Sequence, residues 1–169
     1  MDLRTATKAS HEAAERSRWS QLMISGDMTI PQYAAHLTNM LPLYQELERS
    51  GDIDNPAVLR ADLLRADLAA LDTAPRGQAL STIYYTRYLS ELTAAQRWAH
   101  IYVHYLGNMY GGQMIARRLP GPAAHLEFDD TKACIAWVRE RLQSVDPAEA
   151  NFAFAWTQRV YDELHLLFG

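Results

Sequence analysis

The chain is expected to be all-α, a single helical domain over residues 1–169. Three observations predict this. Apolar residues recur at helical spacing, helix caps recur along the chain, and no stretch of useful length alternates apolar with polar. A chain of 169 residues with 49% hydrophobic and 21% charged residues corresponds to one domain with a substantial core.

Each element has its own signal. Leu3, Ala6, Ser10, Ala13 and Ala14 follow helical spacing behind Asp2 as N-cap. Thr29-Ile30-Pro31-Gln32 combines a capping box with proline at the first helical position. That helix should run toward Arg49, bend at Pro42 and stop near Gly51. Asn55-Pro56 is expected to start another, with Leu59, Leu63, Leu64, Leu68 and Leu71 turned inward, and a further helix covers roughly Gln78 to Leu92. Thr93-Ala94-Ala95-Gln96 is a second capping box, opening a long uncharged helix to about Leu119, where Pro120-Gly121-Pro122 ends it. Asp130 begins a helix to about Ser144, and Asp146-Pro147-Ala148-Glu149 opens the last.

The charge balance excludes some functions. Sixteen Lys and Arg against 20 Asp and Glu leave a formal charge of −4, so a bulk electrostatic hold on nucleic acid is not expected. Cys134 is the single cysteine, which rules out an intrachain disulfide and fits a reducing, cytoplasmic setting. No apolar run follows Met1-Asp2-Leu3-Arg4-Thr5, and no anchor precedes Phe168-Gly169, so neither a secretory signal nor a membrane anchor is expected. The uncharged run from Trp98 to Ala116 approaches the about 20 residues that span a bilayer. It contains His100, His104, Asn108 and Gln113 as well as glycines, and reads instead as a helix inside a soluble protein.

That helix is the most informative segment. Gly107, Gly111 and Gly112 each cost about 1 kcal/mol relative to alanine in a helix interior, so something must offset them. At about 100° per residue, His100, His104, Gly107 and Gly111 fall within a narrow arc with Asn108 at its edge. Glycine at successive turns admits either a flat ligand or a closely packed helix. In the first helix Arg4, Lys8 and His11 share one face, continued by Glu15. Two cations beside an imidazole could grip an anionic ligand whose metal the imidazole binds. The same pattern also describes a solvated face.

Taken together, two segments resemble the heme oxygenase family. The run Leu3-Arg4-Thr5-Ala6-Thr7-Lys8-Ala9-Ser10-His11-Glu12-Ala13-Ala14-Glu15 is similar to its proximal helix, and Tyr105-Leu106-Gly107-Asn108-Met109-Tyr110-Gly111-Gly112-Gln113 to its distal glycine helix. Lower-specificity likeness extends through Leu43 to Glu48, Trp137 to Leu142 and the helix around Phe154. The resemblance implies heme held between the first helix and a glycine-kinked distal helix. It implies oxidative opening of heme to biliverdin, with release of Fe2+ and CO at the expense of O2 and external electrons. His11 matches the axial iron ligand. Arg4, Lys8 and Arg139 match positions that hold the propionates, and Tyr102 a pocket tyrosine. Gly107, Gly111 and Gly112 match the distal glycines, Tyr44 a distal hydrogen-bonding tyrosine, and Phe154 a pocket wall. A soluble electron donor such as ferredoxin is the partner this implies.

The chain departs from the family pattern at three positions. Asn108 stands where aspartate usually follows the first distal glycine, His104 where arginine is common, and Ile135 where a basic residue precedes Arg139 by one turn. Asparagine hydrogen-bonds but cannot ionise. His104, with an unperturbed pKa of about 6.5, is expected to share proton delivery with Asn108 and Tyr44. A non-catalytic heme carrier or sensor is the alternative, with His104 as a second axial ligand. The remaining histidines His36, His125 and His165 have no metal spacing and read as structural or exposed.

Overall fold

The computed structural model describes residues 1–169 as an all-helical bundle without strands. Its helices are α1 (Leu3–Glu15), α2 (Arg18–Ser25), α3 (Ile30–Arg49), α4 (Ala61–Ala69), α5 (Leu80–Ser90), α6 (Ala94–Ile101), α7 (Gly107–Ala116), α8 (Thr131–Arg139) and α9 (Pro147–Phe168). A π-helical turn at Tyr102–Leu106 joins α6 to α7, and a 3-10 turn at Ala124–Leu126 follows α7. None of these helices is long and apolar enough to cross a membrane.

Local chemistry sets most boundaries. Asp2, Thr29, Thr93, Asp130 and Asp146 each accept a hydrogen bond from a first-turn N–H, and Thr29 and Thr93 form full capping boxes with Gln32 and Gln96. Gly26, with φ of 83°, closes α2 in the left-handed region that glycine favours. This short helix has no counterpart in the sequence reading, because Ser17 caps it directly after the end of α1. Helix α3 continues through Pro42, whose missing N–H withdraws one α-helical hydrogen bond.

Asn55-Pro56 does not start a helix. Asn55 Oδ1 accepts from the Ala57 N–H in a turn, and α4 begins only at Ala61. Neither α4 nor α5 has a side-chain cap of its own. The Glu48 carboxylate on α3 accepts the N–H groups of Arg60 and Ala61, and Glu163 on α9 accepts those of Leu80 and Ser81. Carboxylates remote in sequence thus satisfy the orphan donors of both helices and complement their dipoles. The uncharged helix ends at Ala116 rather than Leu119, and α8 at Arg139 rather than Ser144.

The core is a single cluster of 25 buried residues, with α3 at its centre packed on α4, α5 and α9. Trp19, Tyr33, Leu37, Leu47, Leu64, Tyr85, Tyr105 and Leu164 are fully buried. Burying each large apolar side chain contributes about 1.5–3 kcal/mol. On α5, Tyr85 is a full core residue, Tyr88 is partly buried against the core and Tyr84 is 58% exposed. Helix α1 packs along α9, which also meets α6 and the π turn, so one long helix fixes the elements that carry the site.

Candidate functional site

His11 lies on the exposed face of α1. Its ring packs at 5.6 Å against Phe154 of α9, and Nε2 lies 3.1 Å from the Glu15 carboxylate one turn on. Both partners of that pair are more than half exposed (54% and 56%), so little stability rests on it. An imidazole held by a neighbouring ring and accessible from outside can accept a metal at small cost. Lys8 is 73% exposed and 3.9 Å from Glu12, and Arg4 projects from the same exposed side of the helix. Thr7 faces inward instead, its hydroxyl 3.1 Å from the Tyr102 hydroxyl. This contact places Tyr102 between α1 and the start of the distal segment.

The π turn decides what the distal segment shows to each side. A wider i→i+5 turn rotates the chain by less than an α-helix does per residue. The ideal arc that groups His100 and His104 with Gly107 and Gly111 is therefore broken. His100 and His104 point into the core, while Gly107 is exposed. A Cβ at Gly107 or Gly111 would meet no atom within 4 Å. Gly112 differs, because a Cβ there would lie 3.2 Å from the Leu126 carbonyl oxygen and 3.3 Å from its Cβ. Gly107 and Gly111 thus leave a face open, whereas Gly112 permits close packing on the 3-10 turn.

Tyr44 and Asn108 are brought together. Asn108 Nδ2 donates to the Tyr44 hydroxyl at 2.8 Å, and that hydroxyl donates to the His104 carbonyl at 3.3 Å. Burial holds the Tyr44 phenol well above its ordinary range, so it serves as a neutral hydrogen-bonding group. The expectation that His104 titrates near neutrality is corrected by the structure. Burial, with His100 alongside, pushes its imidazole down to about 3, and its Nε2 is 2.8 Å from the Tyr85 hydroxyl. Its imidazole lies beside Tyr85 rather than on the glycine face.

Arg139, in the last turn of α8, places its guanidinium 5.4 Å from the centre of the Tyr110 ring on α7. Tyr110 is itself 58% exposed, so this cation stands at the outer edge of the glycine helix. Two surface depressions, of about 240 and 580 Å3, lie away from these residues, around Arg49 and Arg97 and around Tyr84 and Trp156. Sequence reasoning missed Tyr85, His100 and Glu149 as an organised group. Their spacing carries no signal, since they come from three helices.

The comparisons agree with the all-helical, single-domain fold. The chain is similar to a heme oxygenase of Guillardia theta, with 24% identity over 98% of this chain and 86% of that protein. It superposes on the heme oxygenase of Leptospira interrogans with a TM-score of 0.83 at 24% identity, covering 95% of this chain and 97% of that one. Heme oxygenase-1 of the cyanobacterium Synechocystis, solved in complex with heme, gives a TM-score of 0.80 at 22% identity, covering 98% and 91%. A family model described as heme oxygenase matches residues 1–150, which hold His11, the open glycines and the Tyr44–Asn108 pair, and the chain therefore belongs to the heme oxygenase family.

Proposed function

We propose that the protein binds heme between α1 and α7 and opens it to biliverdin, releasing iron and carbon monoxide and consuming O2 and external electrons. The observation that carries this reading is the open space at Gly107 and Gly111, on a helix whose third glycine is used for packing. A helix that merely packed through small residues would fill all of these positions. The exposed imidazole of His11 against Phe154 supplies the metal-binding group that such a face needs. The bound heme supplies the iron at which oxygen is activated.

The chain's own residues then have distinct tasks. His11 donates an imidazole nitrogen to the metal and gives up Glu15. Arg4, Lys8 and Arg139 orient the propionates by charge-assisted hydrogen bonds, and Tyr102 and Phe154 line the pocket. Gly107 and Gly111 let the backbone approach the flat face of the macrocycle, and Gly112 fixes that helix on Leu126. Asn108 and Tyr44 hold water on the distal side through neutral groups, so protons reach the reacting atoms through that water. The electron source is a soluble donor of the ferredoxin class, and the setting is cytoplasmic. The first rests on the sequence resemblance and the second on the single cysteine, Cys134.

A heme carrier with His104 as second axial ligand fits less well. That role would break the hydrogen bond between His104 and Tyr85 and bring a buried ring to the surface.

Heme, O2 and an electron source given to the purified protein should bleach the Soret band as biliverdin appears. His11→Ala should stay helical and lose turnover, and free imidazole should partly restore it. A stable six-coordinate spectrum that never yields biliverdin would overturn the oxygenase reading.

A further inference from the structure

A polar cluster lies buried behind the distal segment and is used by none of the roles above. The Tyr85 hydroxyl on α5 sits between His100 Nδ1, at 2.6 Å, and His104 Nε2, at 2.8 Å. His100 Nε2 lies 2.9 Å from the Glu149 carboxylate, which also accepts the Tyr88 hydroxyl at 2.7 Å. Tyr85 is fully buried and its ring stacks on Trp156 with centroids 5.2 Å apart.

The inventory of donors fixes the direction of this chain. A carboxylate only accepts, so His100 must carry its proton on Nε2 and offer Nδ1 as acceptor. The single proton of Tyr85 then goes to His100, and the Tyr85 oxygen must accept from His104. Both imidazoles are neutral Nε2–H tautomers, consistent with burial driving both pKa values down. His104 contributes a second group. Its backbone carbonyl, within the π turn, accepts from the Gly107 N–H and from the Tyr44 hydroxyl. Tyr44 in turn accepts from Asn108.

We infer that Tyr85 is a positioning residue for the distal side. By fixing the His104 ring it fixes the His104 carbonyl, and through that carbonyl it sets the Tyr44–Asn108 pair. This rests on the heme oxygenase reading only where turnover is measured. Removing only the Tyr85 hydroxyl keeps the ring within the 25-residue core but leaves His100 Nδ1 and the His104 N–H unpaired, and so loosens groups two helices away.

The test compares Tyr85→Phe with the parent protein, ligand-free and 15N-labelled. In the parent, His100 and His104 should both give the Nε2–H tautomer signature. In Tyr85→Phe, His100 should keep its Nε2–H hydrogen bond through Glu149, while the His104 Nε2–H signal should move upfield and exchange faster as it loses its acceptor. Exchange of the Asn108 side-chain amide should accelerate by about tenfold while the slowest backbone amides of α3 and α9 keep their rates. With heme added, turnover should fall by about tenfold with heme affinity unchanged within about twofold. Unchanged Asn108 exchange would overturn the inference, as would a uniform acceleration of all core amides, which marks a merely structural residue. Should Tyr85→Phe fail to fold, His104→Gln and His104→Leu decide instead. The glutamine variant, with an N–H to offer Tyr85, should preserve Asn108 protection and the leucine variant should not; equal behaviour overturns the inference. A parent protein that never opens heme removes the oxygenase reading, while these ligand-free measurements still decide the role of Tyr85.

Discussion

Asn108 donates its side-chain amide to the Tyr44 hydroxyl at 2.8 Å, and this donation leaves the single Tyr44 proton free for the His104 carbonyl. An aspartate in that position could only accept, so Tyr44 would have to turn its proton from the carbonyl to the carboxylate. Asn108→Asp should therefore change heme turnover by about tenfold or less rather than create it, because the waters that carry protons remain. Asn108→Leu should leave heme bound and stop ring opening. Biliverdin yield per heme, measured beside the Soret spectrum, separates the cases. Activity appearing only in Asn108→Asp would favour the carrier reading.

The glycines predict opposite consequences at neighbouring positions. Gly111→Ala places a methyl group in open space and should stabilise the ligand-free protein by up to about 1 kcal/mol through helix propensity. The same methyl should weaken heme binding. Gly112→Ala meets Leu126 at 3.2–3.3 Å, so its propensity gain should be offset by displacement of the 3-10 turn. Urea unfolding without heme and a heme titration check both. Equal heme affinity in Gly111→Ala and the parent protein would place the ligand elsewhere.

Glu48 predicts a loss of stability remote from the site. Its carboxylate accepts the N–H groups of Arg60 and Ala61 and the Tyr105 hydroxyl, the last at 3.0 Å. Glu48→Ala should cost about 1–3 kcal/mol in urea unfolding, since it strips the cap from α4 and leaves a buried phenol unpaired. Faster amide exchange in the first turn of α4 should accompany it. Unaltered exchange there would show that α4 does not depend on this cap.

Acid sensitivity follows from the buried imidazoles. His36 accepts from the Trp19 indole N–H at 3.1 Å, and burial pushes its pKa down to about 3, as it does for His104. Unfolded histidine protonates near about 6.5. The folded state thus binds fewer protons across that interval. The stabilisation is fully present above the unfolded value and is lost as pH falls from about 6.5 toward 3, on the order of 3 kcal/mol per histidine by pH 4. His104→Gln should flatten the decline in unfolding free energy between pH 7 and pH 4. Equal slopes in the variant and the parent protein would mean that His104 takes up its proton as readily in the folded state as in the unfolded chain.

The sequence by itself determined the helical class, the caps at Asp2, Thr29, Thr93, Asp130 and Asp146, the stripe of Arg4, Lys8 and His11, and the glycine segment. All are legible because they follow from local spacing and backbone chemistry. Only the tertiary structure decided where α4 and α5 begin, because their caps are carboxylates from α3 and α9. It also decided the direction in which His104 points. Helical projection at a constant angle assigns it to the glycine face, but the π turn changes the angle and Tyr85 receives the ring inside the core. The separation of Gly112 from Gly107 and Gly111 has the same origin. Whether a glycine leaves space or fills it depends on what another segment, here Leu126, brings against it.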